Sequence, residues 1–330
     1  MAEINALAVH GGRQLELVRA DDAGAPEIAR QVCSRLASVD RVVAIIGTEE
    51  SATRAACSKA AGAAGVPYYA AGGSDSKDCA PNTYYLGAVP AQRATALVEF
   101  LRTARAFNRF YIVGSDSNAS RAMVSATGHE VDVHGGAVVA ISVVSANVAS
   151  IKAALDGIAR ARPDVVVEAL EAADQVEFQR QVAADSRTAL LPRASLDMGI
   201  GGASAIGPGV SGTYVVQDYL PTDPSPANQA WLAAVSKSFG DGAIPSAVGA
   251  ETYDAVELVS AAIIHAGTTD GAAIAAATVA VMITGPRGPV QIKPATRGHA
   301  TLTMHLGRLQ SSYAVEQLAV SGAIDPVLTC

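Results

Sequence analysis

VVAIIGTEESATRAACSKAAGAAGVPYYAAGGS, residues 42–74, holds two apolar runs with a helix pattern between them. The first run, 42–46, stops at Gly47 and a short polar loop. An alanine-rich helix pattern starts at Ser51, and the second run, 66–71, stops at Gly72, Gly73 and Ser74. Apolar runs without alternation suit strands buried on both faces, as in a parallel sheet covered by helices. Both loops then sit at the carboxyl ends of parallel strands, where open α/β sheets bind ligands. They offer glycines, serines and carboxylates, with no nucleophile beside an evident base. That chemistry suits a grip rather than a reaction.

The alternation continues in both directions. Residues 14–18 (QLELV) read as a strand, and 26–38 as a helix in which Ile28, Val32 and Leu36 recur every four residues. Strands are expected at 83–87, 110–114, 136–144, 164–170, 190–195 and 212–220, with helices at 91–105, from Arg121 onward, and at 148–160 and 175–184. Residues 199–202 are a glycine-rich stretch and 221–226 (PTDPSP) a turn-rich junction. Helices follow at 227–239, 247–266 and 271–284. Residues 288–294 and 300–310 alternate, as strands with one wet face do. Repeated βα units predict an α/β class with doubly wound sheets.

The chain has 330 residues, enough for two lobes of roughly 150 each. Half are hydrophobic and 17% charged, so a sizeable core is available. A net charge of −7 and the lack of any basic run argue against a nucleic-acid partner. No apolar stretch approaches the length of a membrane span. The four cysteines, Cys33, Cys57, Cys79 and Cys330, form no CxxC pair and no cluster with the histidines, so no metal or other cofactor is expected. A Cys57–Cys79 disulfide is conceivable in an oxidising compartment, but buried free thiols are the reading adopted.

Catalytic signatures are missing: GxSxG, GxGxxG and GxxxxGK[ST] do not occur, and the chain is not expected to be an enzyme. His299 and His305 read as surface residues, and Trp231 as a packing residue. The strand ends carry the interest. Glu49, Glu50 and Ser51 follow the first run; Gly72, Gly73 and Ser74 the second. Asp116 and Ser117 follow 110–114, Glu171 follows 164–170, and Asp197 follows 190–195. Serine hydroxyls and N–H groups at a helix start bind carboxylate or carbonyl oxygens. Glycines let a ligand approach the backbone. Carboxylates accept from an ammonium or an amide. Ser51 also reads as a plain helix N-cap. With no basic residue among these carboxylates, the set predicts a small ligand bearing positive charge or N–H donors.

EINALAVHGGRQLELVRADDAGAPEIA, IIGTEESATRAA, GVPYYAAGGSDS, CAPNTYYLGAVPAQ, DYLPTDPSPANQAWLAAV and GPVQIKPATRGHATL fall in the order seen in one family. Together they resemble the type I periplasmic binding proteins of the branched-chain amino acid, amide and urea group. The resemblance implies two α/β lobes joined by a three-segment hinge, crossing near 87–90, 219 and 298–302, with ligand closed in the cleft. It divides the chain into 1–88 plus 220–297, with the first strand missing, and 89–219 plus 298–330. Ser51, Gly72, Gly73 and Ser74 match positions that hold a ligand carboxylate. Glu171 and Asp197 fall where the second lobe closes, and Asp116 and Ser117 in the motif after 110–114. Amide-sensing members carry aromatic residues at Glu49 and Ser117, so an amino acid or another amine-bearing solute is expected ahead of a simple amide or urea. The implied partner is an ABC-type permease; the alternative is a regulatory partner of a cytosolic sensor. MAEIN reads as a helix tail with no secretion signal, so the expected compartment is extracytoplasmic if an upstream segment is missing and cytosolic otherwise.

Overall fold

Proline is favoured at the first helical position, and Pro26 opens α1, Pro26–Ser38. The computed structural model describes residues 4–5, 14–47 and 50–330. The inward face of α1 is Ala29, Cys33 and Leu36, while Ile28 is exposed, which departs from the expected Ile28–Val32–Leu36 row. Cys33 decides the facing, because it is joined to Cys57 on α2, Ser51–Ala63. The strands β1 (Ile45–Ile46), β2 (Tyr68–Ala70) and β3 (Thr83–Tyr85) form a parallel sheet in that order. Residues 14–18, expected as a strand, join no sheet among the described residues, and Leu17 and Val18 are exposed.

The chain continues through α3 (Pro90–Thr103), β4 (Arg109–Ser115), α4 (Asn118–Val133) and β5 (Ala137–Val144). Then come α5 (Val148–Ala161), β6 (Val165–Ala169), α6 (Ala172–Ala184) and β7 (Arg193–Ser195). The glycine-rich stretch, to which the sequence pattern assigns no element, leads into a helix, α7 (Ile200–Ile206). Burial of Ala203 and Ile206 against Val210, Val215 and Leu220 overrides the poor helix propensity of glycine. After β8 (Tyr214–Gln217) come α8 (Pro226–Phe239), α9 (Ala247–Ala266) and α10 (Gly271–Thr278). The helix expected at 271–284 ends early, and Met282–Gly285 is strand β9, paired antiparallel with β10, Gly288–Ile292. The β-branched run after Ala277 explains the switch. The alternating 300–310 segment is two strands in different sheets: β11 (Ala300–Thr301) beside β10, and β12 (His305–Leu309) beside β8. A further strand, β13 (Val315–Val320), pairs with β12.

The chain divides into two compact units. The first comprises Met1–Val89, Pro224–Thr303 and Ala323–Cys330; the second comprises Pro90–Asp223 and Met304–Gly322. Residues 298–303 and 323–330 thus fall in the first unit, whereas the sequence reading assigned 298–330 to the second. The first unit's core joins Cys33, Leu36 and Cys57 to Ile45, Tyr68 and Tyr85. The second is built on one seven-stranded sheet, order β13-β12-β8-β7-β6-β4-β5, with β4 to β8 parallel. Among the described residues no single helix is long and apolar enough to cross a membrane.

The cysteines form two disulfides, Cys33–Cys57 and Cys79–Cys330, with Cα separations of 5.3 and 6.3 Å. Neither the expected free thiols nor a Cys57–Cys79 bridge is present. Cys57 faces α1 rather than the 75–79 turn, and the returning C-terminal residues meet Cys79. His299 and His305, expected at the surface, are both buried.

Candidate functional site

In the first unit the parallel register brings the ends of β1, β2 and β3 to one edge. Residues 72–79 leave β2 there and are held from several sides. The Gly72 N–H donates to the carboxylate of Glu251, a buried residue of α9. Gly72 has φ +93°, and a Cβ at Gly87 would overlap the Gly72 carbonyl, so both glycines serve a close backbone approach. Gly87→Ala is expected to destabilise the protein by about 1–3 kcal/mol through overpacking, measured by urea unfolding.

Ser74 is buried, with its Oγ 3.2 Å from His299 Nδ1 and 3.3 Å from the Gly87 carbonyl. His299 stacks on Tyr85 at 4.3 Å, and its Nε2 bonds the Asp78 carbonyl. A carbonyl only accepts, so Nε2 carries the proton. Burial lowers the His299 pKa, which favours the neutral ring. Nδ1 and the Gly87 carbonyl are then both acceptors, sharing the one proton of the Ser74 hydroxyl. The serine hydroxyl is spent on bracing the loop.

Ser51 begins α2 and is exposed, and its Oγ accepts from Arg54 Nη2 at 3.0 Å. The same nitrogen lies 3.0 Å from Asp78 Oδ2, tying the start of the helix to the 75–78 turn. Thr329 N–H donates to Ser76, and Cys330 closes the disulfide on Cys79. Gly73 is the exposed member of the glycine pair. Glu49 lies outside the described residues.

The second unit repeats the arrangement with a different inventory. Register pairs Gly114 with Ala169 and Glu168 with Ser195, so β4, β6 and β7 end side by side. Asp116, Ser117, Glu171 and Asp197 follow those ends on one edge of the sheet. Ser115 Oγ accepts from the Glu171 N–H at 3.0 Å, joining two of the loops. Ser117 is the N-cap of α4, accepting from the Ser120 N–H at 3.1 Å. Glu171 is exposed at the N-cap position of α6, and its side chain does not cap.

The expectation of carboxylates without basic neighbours fails at two positions. Arg121 Nη1 lies 2.5 Å from Asp116 Oδ1, both side chains well exposed. Arg93 Nη1 lies 3.3 Å from Asp197 Oδ1 and 3.1 Å from the Leu196 carbonyl. The Arg93 side chain is 10% exposed and that of Asp197 55%, so a buried guanidinium holds a carboxylate that still faces water. Four residues of these edges were missed in the sequence: Arg54, Arg93, Glu251 and His299. Three carried a signal, since each sits on the buried stripe of its helix. Arg93 shares a face with Leu97 and Leu101, Arg54 with Cys57 and Ala61, and Glu251 with Ala255 and Leu258. A charge on an apolar stripe must be paired.

Two units built on parallel sheets, each presenting a polar strand-end edge, set the frame for comparison. Over residues 1–314 the chain matches the family described as Periplasmic binding protein. The chain belongs to that family. It is a solute-binding protein and not an enzyme, and the family's members are periplasmic; the cytosolic alternative finds no support. No curated protein matches it by sequence.

Solved structures share the fold of this binding protein. A solute-binding protein of an ABC transporter from R. palustris, in complex with benzoate, is 23% identical at TM-score 0.77, covering 99% of this chain and 92% of its own. An ABC transporter substrate-binding protein from Sphaerobacter thermophilus is 20% identical at TM-score 0.86, with coverage of 99% and 92%. An amino acid ABC transporter substrate-binding protein from Pseudomonas fluorescens Pf-5 is 18% identical at TM-score 0.85, also covering 99% and 92%.

Proposed function

We propose that this binding protein takes a small organic solute bearing a carboxylate, an amino acid being the best match, and delivers it to an ABC-type permease. The observation that carries this reading is the contrast between the two strand-end edges. The first unit's edge offers exposed Gly73 and Ser51 at the start of a thirteen-residue helix, donors for an oxyanion. The second unit's edge offers exposed Glu171 and half-exposed Asp197, acceptors for an ammonium. Benzoate and amino acids, named for two similar structures, share the carboxylate. Two disulfides fit an oxidising periplasm.

A thermal-shift screen with amino acids, benzoates, short amides and urea tests this. A solute at about a thousand times its Kd adds roughly 4 kcal/mol to the folded state, a shift of several degrees. Amino acids are expected to shift the midpoint, and amides and urea are not; the reverse result overturns the proposal. Asp197→Asn is then expected to weaken an amino acid more than about tenfold, since a charge-assisted bond contributes about 1.5–3 kcal/mol, while benzoate, which has no nitrogen, is unaffected. Equal weakening of both removes Asp197 as the ammonium acceptor.

A further inference from the structure

Glu168 sits in the middle of the second unit's core with no exposed surface, on β6 beside β7. Gln179 Nε2 lies 2.8 and 2.6 Å from its two oxygens, and Gln175 Nε2 is 3.3 Å away. Among the described residues, the charged group facing it is Arg193 of β7, which bonds the Gln179 side-chain carbonyl and the Gly209 carbonyl. Gln175 Nε2 also donates to Ser195 Oγ at 2.7 Å. Ser195 Oγ in turn accepts from the N–H groups of Met198 at 3.1 Å and Asp197 at 3.4 Å. A continuous line of hydrogen bonds thus runs from a buried carboxyl to the backbone that carries Asp197.

We propose that Glu168 is a positioning residue for Asp197, acting through Gln175 and Ser195 as a proton-controlled latch on the loop after β7. The inference rests on the reading of Asp197 as a solute contact. An ionised carboxylate accepts only, so it orients the Gln175 amide nitrogen toward itself and toward Ser195. Once protonated, Glu168 has an O–H to donate, and the acceptor within reach is an amide carbonyl. Arg193 holds the Gln179 carbonyl, so Gln175 is the amide that turns its oxygen toward this O–H. Its nitrogen then leaves Ser195, whose hydroxyl becomes free to rotate away from the Asp197 and Met198 amides.

Burial pushes the Glu168 carboxyl from the usual 4.5 up to about 7, against the opposing pull of Arg193 and the two glutamines. The latch therefore works near neutral pH. The same shift sets a sign for stability. A carboxyl whose pKa is raised on folding contributes stability that is fully present below its unfolded value and is lost as pH rises through about 7. The wild-type Tm is expected to fall between about pH 5 and about pH 8, and the Tm of Glu168→Gln to be less dependent on pH.

Amide hydrogen exchange of the full chain, corrected for intrinsic rates and read without solute, tests the latch directly. Protection at Asp197 and Met198 is expected to drop about fivefold or more as pH falls through about 7, and to be flat in Glu168→Gln. Ser195→Ala separates positioning from mere burial. Its Tm is expected to keep the wild-type pH dependence while protection at Asp197 and Met198 no longer titrates. Flat protection in the wild type overturns the proposal. L-leucine and benzoate affinities are measured alongside. If protection titrates while L-leucine affinity stays constant, the latch stands and the solute role of Asp197 fails.

Discussion

Asp254→Ala is expected to lower the stability of the first unit by about 3–5 kcal/mol and its melting midpoint by about 10 °C. Asp254 lies on α9 and Arg287 in the turn between β9 and β10, with side chains 0% and 1% exposed and Nε 2.6 Å from Oδ2. Arg287 Nη1 also donates to the Leu86 carbonyl at 2.9 Å, at the end of β3. Removing one partner leaves the other charge buried, and that penalty exceeds the net contribution of the intact pair. An Asp254→Leu, Arg287→Met double variant is therefore expected to recover most of the loss, since neither charge remains. Urea unfolding of the two single variants and the double checks the sign. A double variant as unstable as the sum of its singles would mean the pair acts through shape rather than charge. Gly285 belongs to the same device, because a Cβ there would fall on Asp254 Oδ1.

The pair also bears on the candidate site. Glu251 stands one turn before Asp254 on the same buried face of α9 and takes the Gly72 N–H, while Arg287 fixes Leu86 just ahead of Gly87. One helix face thereby sets both sides of the contact between Gly72 and Gly87. Solute affinity in Asp254→Ala is expected to fall with stability, because the loop that presents Gly73 loses its backing.

Much of this architecture was legible in advance because buried parallel strands advertise themselves. Phe110 to Gly114 and the valines of β6 are apolar runs closed by polar residues, and they lie within the observed strands. Errors came where tertiary packing outvoted local preference. Ala203 and Ile206 drew a glycine-rich segment into a helix. By contrast, α10 ends early in agreement with the β-branched residues that follow it, which lead into β9 and its pairing with β10. Residues 14–18 carry an alternating pattern, but alternation alone supplies no neighbour to pair with.

The candidate residues were legible as strand-end positions, while their partners were not. Ser51, Gly72, Gly73, Asp116, Glu171 and Asp197 do follow strand ends, a property of local sequence. Which group each meets depends on contacts such as Gly72 with Glu251 or Ser74 with His299, where partners are 179 and 225 residues apart. A hydroxyl read as a ligand donor, Ser74, proves to face a histidine. Asp197, read as unpaired, has an arginine. The helical stripes holding Arg54, Arg93, Glu251 and Asp254 were visible in the sequence. Reading them as buried charges would have predicted polar partners without naming them.

Cys330→Ser is expected to destabilise the chain by up to about 5 kcal/mol, the larger of the two disulfide effects. Cross-linking residues separated by 251 positions removes more freedom from the unfolded chain than the 24-residue separation of Cys33–Cys57, for which the same relation gives about 3–4 kcal/mol. The native state loses little by comparison, since Thr329 N–H still bonds Ser76 at 2.9 Å. Non-reducing peptide mapping should recover Cys33 with Cys57 and Cys79 with Cys330, and thiol titration of the unfolded protein should find no free sulfhydryl. Four titratable thiols would restore the sequence-based reading and remove the disulfide support for an oxidising compartment. Reduction matters beyond stability, because Cys79 ends the segment that begins at Gly72. Without the bridge, Arg54 on Asp78 and His299 on the Asp78 carbonyl must hold the turn. Solute affinity is therefore expected to drop on full reduction at a temperature where the protein is still folded. Unchanged affinity under those conditions would assign the bracing of Gly73 to Glu251 and Gly87 alone.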